Sequence, residues 1–193
     1  MGARADERYT IRRQVFRFFG AGFHIYDSEG GLVGYCDQKR FRLKEDLRVY
    51  TDETKTEELL RIGTQQVIDF GATYTVSVPE GGAIGSFRRK GLKSMLRDEW
   101  LVNSATGETV ATIREDSQLS ALLRRAHDAI ALFIPQGYHM RDEGGGDLAS
   151  YRTHLNPFIH RLGVSVARED EVVDDLLILA GGVLLLAIEG RQG

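Results

Sequence analysis

Cysteine is almost absent from the sequence, with Cys36 as its single occurrence in 193 residues. One cysteine excludes an internal disulfide framework, and a lone thiol is typical of a small buried side chain in a reducing compartment. The N-terminus, MGARADERYTIRRQ, is charged from its beginning and lacks the apolar stretch of a secretory signal. We therefore expect a cytoplasmic protein.

A strong charge imbalance is also lacking. The chain has 28 acidic and 25 basic residues, a net charge of -3 and a pI of about 6.0. Such a chain is not attracted as a whole to nucleic acid or to anionic membranes, so no nucleic-acid partner is expected and any such attraction needs a local patch. A length of 193 residues with 42% hydrophobic content favours one domain, residues 1–193, with one sizeable core.

Recognisable catalytic and metal-binding motifs are missing. The histidines form neither HxxxH nor HExxH, and with one cysteine no zinc ligand set can be assembled from the sequence. No GxSxG nucleophile elbow is present. We therefore predict no catalytic residue, no metal, no cofactor and no enzymatic activity; an enzyme would need a pocket that joins a histidine to acids from distant strands. The five histidines are His24, His127, His139, His154 and His160.

One pattern occurs four times along the chain without gaps. Each copy begins with an aromatic residue and has an apolar residue two places on and a glycine seven places on. A branched aliphatic residue or leucine follows ten places on, with a small residue directly after it. The copies are FHIYDSEGGLVGY from Phe23, YTVSVPEGGAIGS from Tyr74, WLVNSATGETVAT from Trp100 and YHMRDEGGGDLAS from Tyr138.

The repeated pattern predicts a β-hairpin. Residues two apart in a strand share one face, and a glycine supplies the positive φ of a tight loop. A phosphate-binding loop is the alternative, but its glycines would run from a strand into a helix, which no copy does. The glycines of the pattern therefore turn the chain; they are Gly30, Gly81, Gly107 and Gly145.

Four hairpins give eight strands, and further strand-like tracts lie between them. These tracts are YTIRRQVF near Tyr9, FRLKEDLRVY from Phe41, ELLRIGTQQVIDF from Glu58 and a tract around Phe158 to Val166. A total of roughly ten to twelve strands is more than an open sheet holds without curling or closing. We predict a mainly β protein, folded as a closed antiparallel barrel.

One segment has the spacing of an amphipathic helix. From Asp116 to Ile134, apolar residues recur at helical intervals, Asp116 or Ser117 is a suitable cap, and Pro135 follows the end. This predicts a helix near residues 117–134. Its apolar face either packs on the barrel or binds a membrane surface.

The C-terminal run LLILAGGVLLLAI, Leu176 to Ile188, carries no charge. As a helix it is about 20 Å long, shorter than the roughly 30 Å hydrocarbon core of a bilayer, so we expect no transmembrane span and a buried position. Two short strands joined at Gly181-Gly182 are the alternative. The helix is preferred because leucine and alanine dominate and acids precede the run. Each glycine costs roughly 1 kcal/mol there, which is tolerable if strands approach closely.

Strands closed around an apolar C-terminal helix are the arrangement of the tubby C-terminal-like superfamily, and the chain resembles its LURP-one-related family, which is related to the phospholipid scramblases. The resemblance covers nearly the whole chain and implies a twelve-stranded barrel around Leu176 to Ile188. It is carried by FHIYDSEGGLVGYCDQKRFRLKEDLRVY, IDFGATYTVSVPEGGAIGSFRRKGLKSMLRDEWLV, IPQGYHMRDEGGGDLASYRTHLNPF and LLILAGGVLLLAIEGRQ.

The resemblance implies less about activity. Tubby domains bind phosphoinositide headgroups, scramblases are linked to calcium-dependent lipid movement, and LURP-one relatives mostly lack an assigned biochemistry. The chain has three prolines where scramblases carry a Pro-rich N-terminal region, and one cysteine where they carry a lipid-modified cluster. These departures weaken a scramblase-like interpretation.

The basic strip SFRRKGLKSMLR, Ser86 to Arg97, is the best local charge feature because it contains no acid. Its side chains can hold phosphates through charge-assisted contacts and so bind a lipid headgroup or another polyanion. The alternative is a solvated strand end and loop. The candidate residues are Arg88, Arg89, Lys90, Lys93 and Arg97. A weaker basic run, Lys39, Arg40, Arg42 and Lys44, has the spacing of a solvated strand face.

An acidic run precedes the C-terminal helix, where scramblases are proposed to bind calcium. It lacks the ligand spacing and the glycine of an EF-hand loop. Capping of the helix and stabilisation of its dipole explain these acids more simply, so no metal site is predicted and calcium remains the alternative. The acids are Glu169, Asp170, Glu171, Asp174 and Asp175.

The sequence thus leads to three functional hypotheses. The first is a non-enzymatic barrel that binds anionic phospholipid headgroups, or a similar polyanion, at the basic strip, with peripheral contact to the membrane surface. The second is a protein-interaction or structural module with no lipid role and an unidentified protein partner. The third is a scramblase-like activity.

Overall fold

The computed structural model describes residues 6–16, 20–38, 46–64, 72–90, 99–116, 136–154 and 160–189. In these residues the chain forms twelve strands and then one helix. The helix predicted near residues 117–134 lies outside them. The strands are β1 (Tyr9–Phe16), β2 (Gly20–Asp27), β3 (Leu32–Gln38), β4 (Asp46–Tyr50), β5 (Glu58–Gly63), β6 (Thr73–Val78), β7 (Gly82–Arg89), β8 (Glu99–Ser104), β9 (Thr109–Glu115), β10 (Gly137–Asp142), β11 (Asp147–His154) and β12 (His160–Val166), and the helix is α1 (Asp175–Glu189).

The strands form a closed antiparallel barrel. Each strand pairs with the next one along the chain, and β12 returns to pair with β1 between Tyr9–Arg13 and His160–Val164. Closure pairs the backbone groups that an open sheet leaves unpaired at its two edge strands. The predicted barrel is confirmed, and the four additional strand-like tracts supply β1, β4, β5 and β12.

The four copies of the repeated pattern form the hairpins β2–β3, β6–β7, β8–β9 and β10–β11, as predicted. The aromatic residue that begins each copy is buried, and in each hairpin the register shifts directly after the apolar residue two places on. Each hairpin therefore contains a β-bulge beside its loop. The buried aromatic residues are Phe23, Tyr74, Trp100 and Tyr138.

A glycine in the left-handed conformation lies at the loop of each of these four hairpins. The predicted positions are correct for Gly30 (φ 89°), Gly107 (φ 89°) and Gly145 (φ 82°). In the second hairpin the left-handed residue is Gly82 (φ 70°) and the prediction of Gly81 is wrong by one residue. Both positions lack a Cβ atom, so either tolerates a positive φ and the sequence does not distinguish them.

Helix α1 lies in the lumen of the barrel. It contacts β1, β5, β7 and β12, and β1 and β7 lie on opposite sides of the ring. Its apolar side chains are buried around the whole helix, so α1 forms the centre of the core and the alternative of two strands is wrong. The buried residues include Leu177, Ile178, Leu179, Ala180, Val183, Leu184, Leu185, Leu186 and Ala187.

The two helix glycines admit strand side chains close to the helix backbone. A Cβ atom at Gly181 would lie 2.8 Å from Tyr151 Oη, and one at Gly182 would lie 2.9 Å from Ile11 Cδ1. The buried Tyr151 hydroxyl donates a hydrogen bond to the Ile178 carbonyl at 3.0 Å. The close approach expected at these glycines is therefore present, and it offsets their low helix propensity.

The barrel has two different ends. At one end lie the hairpin loops, the start of β1 and the first turn of α1; we call this the hairpin end. At the other, the distal end, β7 finishes at Arg89 and β8 begins at Glu99. After each odd-numbered strand from β1 to β11 the described chain ends at the distal end, directly after β1, β3 and β11 and one residue later after β5, β7 and β9.

Candidate anion-binding surface

Strand β7 carries the described part of the basic strip to the distal end of the barrel. Phe87 is buried inside, so its neighbour Arg88 projects from the outer wall, where it is exposed. Among the described residues, none forms an ion pair with the Arg88 guanidinium. Of the three described candidates, Arg88 is therefore the one best placed to meet a ligand in solvent.

Arg89 lies at the rim of the barrel, on a row of aromatic side chains. It pairs with Trp100 across β7 and β8, and its guanidinium lies 5.9 Å from the centroid of the Trp100 ring. The Trp100 ring is in turn 5.9 Å from that of Tyr74. Burial raises the pKa of Tyr74, and the positive charge of Arg89 opposes part of that rise. A cation–π contact thus orients Arg89 at the rim.

Lys90 shares a carboxylate with Arg114. The Lys90 Nζ atom and an Arg114 guanidinium nitrogen each lie 3.1 Å from Glu99 Oε1. Burial acts to raise the pKa of Glu99, but the hydrogen bonds and charges of Lys90 and Arg114 outweigh it and hold that pKa below its ordinary value. Lys90 is therefore partly neutralised, which sequence spacing did not predict.

The net charge of the described part of the strip and its neighbours stays positive despite Glu99. Lys90 and Arg114 contact the Glu99 carboxylate, and Arg88 and Arg89 precede Lys90 at the end of β7, so these five groups have a net charge of +3. The candidates Lys93 and Arg97 lie outside the described residues, between Lys90 and Glu99 in sequence.

The segments of two other predicted features follow strands that finish at the distal end. The weaker basic run, residues 39–44, lies between the end of β3 and the start of β4, and residues 117–134 lie between β9 and β10. Both lie outside the described residues. The strand topology therefore places the last described residue before each of these segments, and before the rest of the basic strip, at the same end of the barrel.

Three histidines meet acids from distant parts of the chain on the outer wall. His24 Nε2 lies 2.5 Å from Glu53 Oε1, and the His24 ring packs 5.0 Å from the Tyr35 ring. His139 lies 3.9 Å from Asp116. Cys36 faces the core and is buried, so the structure does not place its thiol with these outward histidines. The third histidine, His154, contacts Glu7.

Two acids of the acidic run before α1 accept hydrogen bonds from backbone N–H groups of the chain. Asp170 Oδ1 accepts hydrogen bonds from the backbone N–H groups of Val172 and Val173 at 3.0 and 3.1 Å. Asp174 Oδ1 accepts one from the Leu177 N–H at 2.9 Å and caps the helix, as predicted. In the part of the chain that the structure describes, no three histidine, cysteine or acidic side chains converge to hold a metal ion.

Helix α1, the one helix among the described residues, is not long and apolar enough to cross a membrane. No protein-family model, no curated protein and no solved structure matches the chain.

Proposed function

We propose that this barrel is a non-enzymatic protein that binds anionic phospholipid headgroups, or a similar polyanion, at the basic strip. The observation that carries the proposal is the net positive rim at the distal end of β7, where Arg88 is exposed and Arg89 is oriented over Trp100. Arginine presents several N–H donors in a fixed plane, which suits the oxygens of a phosphate group.

The fold also supports the proposal, and the net charge sets the conditions under which it is tested. The resemblance to the LURP-one-related family implies a twelve-stranded barrel around an apolar helix, which is the fold of this chain. A net charge of -3 also means that attraction to an anionic surface would depend on a local patch and on salt. We propose peripheral binding at a cytoplasmic membrane surface on this basis.

Binding to vesicles tests the proposal. Vesicles of phosphatidylcholine with and without phosphatidylserine or a phosphoinositide are sedimented with the protein over a range of salt concentrations. We expect binding that requires the anionic lipid and weakens with salt. Arg88→Glu should reduce the affinity by roughly 5- to 30-fold, since a basic residue near an anionic surface contributes about 1 kcal/mol and the substitution also adds a repulsive charge.

A matched control separates the strip from net charge. Arg141→Glu makes the same change in charge at an exposed position of β10, where Arg141 forms an ion pair with Asp147 at 2.8 Å. This variant should bind vesicles nearly as the unmodified protein does. Equal affinities for the unmodified protein and a variant with Arg88, Arg89 and Lys90 all changed to Glu would refute the proposal. Binding without any lipid preference would instead favour a protein-interaction module.

A further inference from the structure

A carboxylate is enclosed on the outer wall of the barrel, on the side opposite to β7. The Glu7 side chain, just before β1, is only 5% exposed. His154 Nε2 donates a hydrogen bond to Glu7 Oε1, and the Thr10 hydroxyl donates one to Glu7 Oε2 at 3.2 Å. An Arg161 guanidinium nitrogen lies 3.6 Å from Glu7 Oε2. Donors from β1, β11 and β12 therefore converge on one oxyanion.

A glycine makes the space that this carboxylate occupies. Gly163 is buried in the middle of β12, and a Cβ atom there would lie 2.2 Å from Glu7 Oε1 and 2.3 Å from Glu7 Cδ. Any other residue at this outward position would fill the space with its own side chain. A glycine inside a strand marks a place where another group approaches the backbone closely. We call this space the Gly163 slot.

Strand pairing and one further hydrogen bond also position the donors of the Gly163 slot. Arg161 also donates a hydrogen bond to the Thr10 hydroxyl at 3.4 Å, and it pairs in register with His154 and with Arg12. Arg152 is exposed and in register with Gly163. The guanidinium of Arg12 lies 4.5 Å from the centroid of the Tyr26 ring. The slot thus lies on a wall where Arg161 is near the carboxylate and where Arg12 and Arg152 occupy neighbouring register positions.

We propose that the Gly163 slot is an oxyanion-binding site whose resident ligand is Glu7. The site accepts a small carboxylate or phosphate when the Glu7 side chain is absent, with His154, Arg161 and Thr10 as donors. Charge-assisted hydrogen bonds to an oxyanion are stronger than neutral ones, and a buried set of donors gains most from them. This site is separate from the basic strip, and it stands whether or not the strip binds lipid.

Chemical rescue of Glu7→Ala tests the site. The melting temperature of this variant is measured in formate, in phosphate and in chloride at matched ionic strength. An anion at ten times its Kd should raise the melting temperature by about 3 to 6 °C above the value in chloride, as expected for a ligand that binds only the folded state. The anion that saturates at the lower concentration identifies the preferred chemistry. The His154 imidazole resonances should shift with the same midpoint.

The double variant Glu7→Ala, Gly163→Ala is the matched control. Its Cβ atom at position 163 occupies the place of the Glu7 carboxylate, so the melting temperature should not depend on the identity of the anion. An equal rise in both variants, or no rise in folded Glu7→Ala, would overturn the proposal.

A refolding measurement decides the outcome if Glu7→Ala does not fold in chloride. The variant is then refolded from denaturant in each anion at equal ionic strength. Recovery of the β-sheet circular dichroism in formate or phosphate, and not in chloride, supports the site. Recovery in none of the anions, or equally in chloride, is evidence against it.

Discussion

Tyr9 shows how one side chain joins the start of the barrel to its central helix. Its hydroxyl donates a 2.5 Å hydrogen bond to Asp175 Oδ2, in the first turn of α1, and Arg8 Nε lies 3.0 Å from the same oxygen. An anion near a helix N-terminus is favourable because of the helix dipole. Burial raises the pKa of Tyr9 to about 12, assisted by Asp175 and partly opposed by Arg8.

This arrangement predicts a loss of stability at alkaline pH. The folded protein holds the Tyr9 proton more tightly than the unfolded chain, whose tyrosine pKa is about 10. The contribution of Tyr9 should be complete below pH 10 and should disappear as the pH rises towards 12. Urea unfolding of the protein and of Tyr9→Phe between pH 9 and 12 measures it as their difference in unfolding free energy. A difference that does not change over this range would contradict the assignment.

The repeated hairpin has two structural roles: its large side chains line the barrel, and its small residues leave space for α1. Its aromatic residue is buried in the core, while the small residue eleven places on faces the helix or its neighbours. A Cβ atom at Gly85 would lie 2.7 Å from the Asn103 carbonyl oxygen and 2.9 Å from Leu177 Cδ2. The pattern of large and small residues therefore fits the shape of a barrel with an occupied centre.

Gly85→Ala should destabilise the protein by about 1–3 kcal/mol, the usual cost of overpacking a core. The backbone oxygen of Asn103 cannot move away without disturbing the β7–β8 ladder. Gly63→Ala is the control, because nothing lies within 4 Å of a Cβ atom at Gly63 and its φ is not left-handed. It should leave stability unchanged or raise it slightly. Denaturant midpoints compare the two variants, and equal effects would argue against a packing role for Gly85.

At the scale of the whole molecule, the barrel and its helix depend on one another. The inward faces of the strands are apolar and are buried only when side chains fill the lumen. Helix α1 is apolar on all sides and is buried only when the strands surround it. The enclosure is completed only when β12 reaches β1, the strand most distant from it in sequence. Folding therefore requires contacts of high sequence separation, which are slow to form.

An acidic residue in the lumen should abolish this assembly. Val183 is 0% exposed in α1, so Val183→Asp buries a carboxylate without a partner, at a cost of several kcal/mol against a total stability of about 5–15 kcal/mol. Val172→Asp makes the same change at a residue that is 52% exposed, and its effect should be small. Thermal unfolding followed by circular dichroism should be cooperative for Val172→Asp, and for Val183→Asp it should be absent or occur at a much lower temperature. Equal melting temperatures for the two variants would contradict the burial of α1 in the lumen.

The sequence by itself determined the local elements. Alternation of side chains and left-handed glycines are short-range properties, so the hairpins from Phe23, Tyr74, Trp100 and Tyr138 follow from residues close together in the chain. The uncharged run of α1 likewise specifies burial, because no part of its surface suits water. Even here the ambiguity at Gly81 and Gly82 remained, since two glycines have equal conformational freedom.

Only the tertiary structure decided which charges meet. Glu99 holds Lys90 and Arg114 because β7, β8 and β9 are neighbours, and Glu7 meets His154 because the barrel closes. The latter two residues are 147 apart in sequence. Coulombic and hydrogen-bonding partners are selected by distance in space, and strand pairing sets that distance. A single sequence therefore predicts the basic strip but not which of its members are neutralised.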